Sequence, residues 1–108
     1  MALAWQVERW APGVYGAFVS RVLPQVTSRS QATSWWRSPS ENARVGGESD
    51  SQHLLGLGLD ITDPDLDGLA IRLQRAGLVA VRAARHVHVQ AWPAGTARRI
   101  GLLAAVGL

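Results

Sequence analysis

Apolar residues recur along this chain in two rhythms, and the change from one to the other marks out its elements. Val14, Phe18 and Val22 share one helical face at a spacing of four; Pro12 suits a first turn and Pro24 a stop, so a helix is expected over 12–23. Leu66, Leu69, Leu73 and Ala76 line one face of a second helix, with Asp63 as its expected cap, Pro64 in its first turn and Gly77 at its end. Around that helix the rhythm shortens to two. Gly58-Leu59-Asp60-Ile61-Thr62 reads as the start of a strand, and 78–83 and 86–92 read as two strands joined by a tight Ala84-Arg85 connection into an antiparallel hairpin. Between the first helix and these strands, 25–33 is polar and loop-like, 34–37 reads as a short strand, and Ser40 caps a short helix through Arg44 that ends at Gly46. A terminal helix is expected over 96–106, weakened by Gly101. The fold class implied is α+β, a small antiparallel sheet packed with two or three helices.

The same alternation carries the chemistry. In His86-Val87-His88-Val89-Gln90 the two histidines and the glutamine project one way and the valines the other, so a core takes the valines and a cleft takes the imidazoles. A second stretch, Ser51-Gln52-His53-Leu54-Leu55-Gly56-Leu57-Gly58-Leu59-Asp60, holds a histidine seven residues before an aspartate, separated by glycines that permit a sharp turn and close approach. All three histidines of the chain fall in these two stretches. Imidazole nitrogen and carboxylate oxygen suit Zn²⁺, and three protein ligands leave a coordination position open, as a catalytic zinc requires.

The pattern Ser51-x-His53-x-x-Gly56-x-Gly58-x-Asp60 followed by His86-x-His88 resembles the zinc D-alanyl-D-alanine metallopeptidases, which share a core fold with lysostaphin-type endopeptidases and the hedgehog signalling domain. Their usual form is Ser-x-His-x-x-Gly-x-Ala-x-Asp, then His-x-His or Glu-x-x-His. Upstream, the run from Trp36-Arg37-Ser38-Pro39 through Asn42 to Gly46-Gly47 is similar to the segment these proteins carry before the first ligand. Two positions depart from the pattern: Gly58 replaces the common alanine, and Gln90 stands where many phage members have aspartate, a change that bears on the shell around the site rather than on its ligands.

The resemblance implies one zinc metallopeptidase-like domain over 1–108, with His53, Asp60 and His88 as metal ligands and His86 beside the reacting centre. Residues two apart on one strand face are neighbours, yet both need not reach one ion. Zn²⁺ in such a site activates water and polarises a scissile carbonyl. Arg37 has two readings, a surface cation stacked on tryptophan or a guanidinium fork for a carboxylate or the attacked carbonyl, and its place in the matched segment favours the second. Ser51 anchors the ligand loop or a substrate group. The Glu-x-x-His members use that glutamate as base, whereas Arg85 stands at the equivalent position here and the sequence places neither Glu41 nor Glu48 at the zinc.

Composition narrows the partners. The chain has no cysteine, so any metal is held by His, Asp, Glu or water. Its net charge of +3 comes from eleven arginines without a lysine, spread along the chain with no basic stripe interleaved with aromatics, which argues against nucleic acid as the partner. The aspartates 63, 65 and 67 do not have EF-hand spacing and are read as helix-capping groups rather than calcium ligands. Trp5 and Trp10 are read as packing residues, with extension of a substrate cleft as the other role. No window is long and apolar enough to span a bilayer, and the N-terminus lacks the pattern of a signal peptide. The expected role is zinc-dependent hydrolysis of peptidoglycan stem peptides or cross-links, of carboxypeptidase or endopeptidase type. A phage or prophage enzyme of this kind is made in the cytoplasm and acts on the cell wall after release or from the virion. The alternative is a non-catalytic zinc-containing binding or virion structural module.

Overall fold

The computed structural model describes residues 12–48, 51–93 and 95–99, and among them the two rhythms become an α+β architecture. Helix α1 (Pro12–Val22) runs into a 3-10 turn (Leu23–Gln25), followed by strand β1 (Gln31–Ser34) and helix α2 (Pro39–Arg44). A second 3-10 turn (Gln52–Leu55) precedes strand β2 (Gly58–Thr62) and helix α3 (Leu66–Arg75). Strands β3 (Val79–Arg82) and β4 (Val87–Gln90) form the expected hairpin, and a single turn α4 (Thr96–Arg99) follows. The strands make one antiparallel sheet in the order β1-β2-β4-β3. The histidine-bearing strand β4 is thus paired on both sides, which leaves its register no freedom.

Alternation sorts the two faces. Val87 and Val89 are fully buried and join Ile61, Ala80, and Leu69 and Leu73 of α3 in one core, with Phe18 and Val22 of α1 in the same cluster. On the opposite face one rung carries Ser34, Asp60, His88 and Val81 across the four strands. Apolar burial on one side therefore fixes a carboxylate and an imidazole as direct cross-strand neighbours on the other.

Several expected boundaries move, each for a local reason. The strand expected over 34–37 lies earlier, at Gln31–Ser34, taking in the end of the expected loop and sharing only Ser34 with the expected strand, because Gln31, Ala32 and Ser34 pair with Thr62, Ile61 and Asp60 across a bulge. Pro24 sits within a 3-10 turn rather than closing α1 outright. Ser38, not Ser40, caps α2: Ser38 is extended, as the residue before a proline tends to be, and its side chain accepts a hydrogen bond from Glu41 N with Pro39 in the first turn. Asp65, not Asp63, caps α3 by accepting from Gly68 N. Trp5, Trp10 and the expected helical segment 100–106 lie outside the described residues.

Asp63 serves a different purpose. Its buried carboxylate accepts hydrogen bonds from Ser30 Oγ, from Thr27 Oγ1 at 3.2 Å and from Asp65 N at 2.8 Å, tying the loop before β1 to the start of α3. The Ser30 hydroxyl, helped by the Asp65 amide, holds the carboxyl below the usual aspartate range. A depressed folded-state value contributes stability that is whole above the unfolded aspartate pKa of about 3.9 and drains as pH falls toward the folded value. Asp63→Asn is therefore expected to lose about 1 kcal/mol at neutral pH, with the difference in Tm from wild type shrinking below about pH 4. Thermal unfolding at stepped pH checks this; a difference constant with pH would remove the linkage.

Candidate metal centre

His53 reaches the sheet from a loop that is fixed by the segment just before α2. The Trp35 indole donates to Gly56 O at 2.8 Å, the Trp36 indole donates to Leu54 O at 3.1 Å, and Arg37 N donates to His53 O at 3.1 Å. The His53 ring closes the arrangement by donating from Nδ1 to the Trp35 carbonyl. That bond leaves the Nε2 lone pair facing the rung of Asp60 and His88, as ligand histidines are held elsewhere by a second-nitrogen partner. Ser51 caps the same turn, its Oγ accepting from His53 N at 3.2 Å.

Glycine answers a local demand twice in this loop. Gly56 ends the turn in the left-handed region at φ 72°. Gly58 lies so close under the turn that an added Cβ would stand 3.0 Å from His53 N and 3.2 Å from Gln52 C. The departure from alanine at this position is matched by that tight packing.

Three donor atoms converge. His88 Nδ1 is 2.8 Å from Asp60 Oδ1, His53 Nε2 is 3.3 Å from His88 Nδ1, and His53 Nε2 is 3.4 Å from Asp60 Oδ1. With Zn–N and Zn–O bonds of 2.0–2.1 Å, the edge of a tetrahedron is about 3.3 Å. The two separations from His53 match the edge of such a tetrahedron, the His88–Asp60 hydrogen bond would open by about 0.5 Å to complete the face, and the donor set of two imidazoles and a carboxylate suits zinc. His86 stands outside this triangle, its Nε2 3.8 Å from Asp60 Oδ1 and its side chain 36% exposed.

The electrostatics favour a cation. Burial alone would raise the Asp60 carboxyl, but with no metal present the protonated forms of His53 and His88 donate to it and, with their charge, carry it well below the ordinary carboxylate range. The Asp60 carboxylate in turn raises His88, against burial and with help from Gln90. A proton held between these groups is what a metal ion replaces, because ligands bind in their deprotonated forms.

Gln90 and Gln52 form a support that the motif spacing did not indicate. His88 Nε2 donates to Gln90 Oε1 at 2.6 Å, and Gln90 Nε2 donates to the Trp92 carbonyl at 2.6 Å. Gln52 grips the same backbone, its Nε2 donating to Trp92 O and its Oε1 accepting from Trp92 N at 3.1 Å. The neutral glutamine thus occupies the place of the expected aspartate partner while still directing the His88 Nδ1 lone pair at the cluster. Alternation placed Gln90 on the His88 face, but the Trp92 backbone that connects the two glutamines is a tertiary neighbour with no sequence signal. Gln90→Ala is expected to weaken zinc binding about 10–100-fold, read by competition with a chromophoric chelator. Unchanged affinity would show that the ring is held by other contacts.

Arg37 lines two clefts. One, of about 270 Å³, is walled by His53, His88, Ser51, Glu48 and Gln90 as well as Arg37. The other, of about 550 Å³, is walled by Asp60, Trp35, Trp36, Glu41 and Val45, again with Arg37. Behind the guanidinium, the buried Asn42 donates from Nδ2 to Glu48 O at 2.7 Å, and its Oδ1 and Arg37 Nε lack a protein partner among the described residues. A Cβ on Gly47 would come within 2.2 Å of Asn42 Oδ1 and 3.0 Å of Arg37 Nη1, so the missing side chain is what lets these groups share the space. Glu48 faces the histidine cleft, whereas Glu41 is engaged by Arg44.

No helix among the described residues is long and apolar enough to cross a membrane. The family model described as Peptidase M15 matches residues 17–90 of the chain, a span that contains all of the residues described above as forming the cluster. No curated protein and no solved structure gave a significant match.

Proposed function

Because the chain belongs to the peptidase M15 family of zinc metallopeptidases, we propose that it hydrolyses peptide bonds of bacterial peptidoglycan at the cluster of His53, Asp60 and His88. The observation that supports this most is the convergence of three donor atoms within 3.4 Å of one another, two of the three separations being those of a tetrahedral zinc site. Zn²⁺ held there would supply a Lewis acid and would lower the pKa of a water toward about 7.

The chain's own groups account for the remaining roles. Arg37, which lines both clefts, offers two parallel donors to the oxygen of the scissile carbonyl as charge develops on it. Asn42 and Gly47 seat that guanidinium. His86, next to Asp60 but outside the triangle, orients the reacting groups and carries a proton, and Glu48, facing the same cleft as the ligand histidines, is the carboxylate available to accept one. Ser51 holds the ligand loop and presents its hydroxyl to substrate in that cleft.

In this reading the protein is a phage or prophage wall peptidase, acting after release or as part of a virion. The test pairs metal content with turnover. Wild type is expected to hold about one zinc per chain and to release D-alanine or new amino groups from purified peptidoglycan. His86→Ala is expected to keep the zinc and lose about 10²–10⁴-fold in rate. Zinc without turnover in wild type would favour a non-catalytic zinc module, the reading to which the arginine at position 85 lends weight. Absence of stoichiometric metal would overturn both.

A further inference from the structure

We propose that Asn42 positions Arg37 for the reaction: its side-chain carbonyl receives Nη1–H of the guanidinium when substrate binds, which commits the edge formed by Nε and Nη2 to the substrate oxygen. The proposal rests on the hydrolase reading above and deepens it by naming what aims the oxyanion donor.

The end of α2 builds the seat. Gly46 lies in the left-handed region at φ 73°, Gly46 N donates to Ala43 O at 3.1 Å and Gly47 N donates to Asn42 O at 2.8 Å. This pair of bonds is a common glycine-dependent helix ending, and it turns the chain back beside Asn42. Glu48 O then accepts from Asn42 Nδ2 at 2.7 Å and from Ser51 N at 3.0 Å. The amide is thus clamped by its nitrogen end. Its oxygen faces the space left by the missing side chain of Gly47, and Arg37 Nη1 stands across that space.

Neither facing group is engaged. Asn42 is 3% exposed and its Oδ1 has no partner among the described residues, and Arg37 Nε is likewise buried and unpaired. A buried donor or acceptor left unmade is costly, so two of them at one guanidinium call for an explanation. A short torsional swing of Arg37 satisfies both. Nη1 meets Asn42 Oδ1, and Nε with Nη2 becomes a fork of two parallel donors for the oxygen on which charge develops.

Asparagine suits this task because it is neutral. Arg44 is paired with Glu41 and Arg82 with Asp67, whereas Arg37 has no ion pair among the described residues. An aspartate at position 42 would hold the guanidinium firmly, yet its charge would oppose the negative charge growing on the substrate. An amide sets the direction of the arginine and leaves its charge undivided for the transition state.

The first test is a double-mutant cycle on zinc-loaded protein with soluble muropeptides. Asn42→Ala is expected to keep its zinc and to lose about 10–100-fold in kcat, with KM within about threefold of wild type. In the Arg37→Ala background the same substitution is expected to change kcat by less than about twofold, because it acts through the arginine. Wild-type kcat in Asn42→Ala, or equal losses in both backgrounds, would overturn the proposal and leave the hydrolase reading intact. Asn42→Ala also strips Glu48 O of a donor and threatens folding, so wild type carries a second readout. A crystal structure of zinc-loaded wild type with a phosphinate dipeptide, a mimic of the tetrahedral intermediate, is expected to show an Arg37 Nη within about 3.2 Å of Asn42 Oδ1 and Nε at the same reach of a phosphinyl oxygen. A bound phosphinate with Asn42 Oδ1 still unpartnered would overturn the proposal. Zinc-loaded wild type that neither cuts muropeptides nor binds the phosphinate would instead sink the hydrolase reading, and this inference with it.

Discussion

Alanine at position 53 is expected to remove zinc and peptidase activity together, and to lower stability in the absence of metal as well. His53 supplies one corner of the donor triangle, and the remaining pair, Asp60 and His88, is too few for a site that needs three protein ligands. The residue is also 1% exposed, and its ring occupies the Trp35 carbonyl. Truncation leaves that carbonyl without its partner, which costs about 1–3 kcal/mol, and opens a hole beneath the loop. Loss of a supporting partner costs 10–100-fold in metal affinity, so loss of a ligand is expected to exceed about 100-fold and to bring turnover to background. The check is metal analysis beside thermal unfolding with and without added zinc. Wild type gains Tm with zinc, because the ion binds the folded chain, and His53→Ala does not. A variant that still holds one zinc would remove His53 from the ligand set.

The second large effect is on rate rather than metal. Arg37→Ala is expected to retain zinc and to lose about 10²–10³ in kcat, the usual cost of removing one donor to a developing oxyanion. Arg37→Lys is expected to recover little, because an ammonium cannot reproduce the planar fork. Gly47→Ala is the companion test: its methyl would stand 2.2 Å from Asn42 Oδ1 and 3.0 Å from Arg37 Nη1, displacing the guanidinium without deleting it. A fall in kcat shared by Arg37→Ala and Gly47→Ala, at constant zinc content, would locate the effect in the position of the guanidinium. An Arg37→Ala enzyme with wild-type kcat would assign the residue to the surface.

Much of this was legible in the sequence, and the limits of that reading have physical causes. Period-two alternation set His88 and Gln90 against Val87 and Val89 because strand geometry admits no other arrangement once the valines are buried. The helical faces of α1 and α3 followed from periodicity in the same way. The caps were harder. Asp63 and Asp65 are equally good capping types two residues apart, and the choice turned on Pro64 between them and on Ser30 and Thr27, which lie more than thirty residues upstream. The strand at Gln31–Ser34 is polar and largely exposed, so no apolar rhythm announces it; only the ladder to β2 makes it a strand. Trp35 and Trp36 read as aromatic neighbours of a functional arginine, whereas their indoles hold the His53 loop through backbone carbonyls. Backbone acceptors carry no residue identity, and a contact made through them leaves no motif. The grip of Gln52 and Gln90 on Trp92 is invisible for the same reason.

The two-sided pairing of β4 sets how the centre can fail. Its register places His88 opposite Asp60 on one face and fully buries Val87 and Val89 on the other. A slip of one residue would turn the imidazole into the core and a valine into the cleft, so a slightly misassembled hairpin has no half-competent form. Loss of binding capacity under heat or denaturant should therefore be digital, molecule by molecule, rather than a gradual softening of affinity. In a titration taken partway through unfolding, the number of sites would fall while the dissociation constant of those remaining stayed constant, making zinc stoichiometry a direct count of correctly zipped chains.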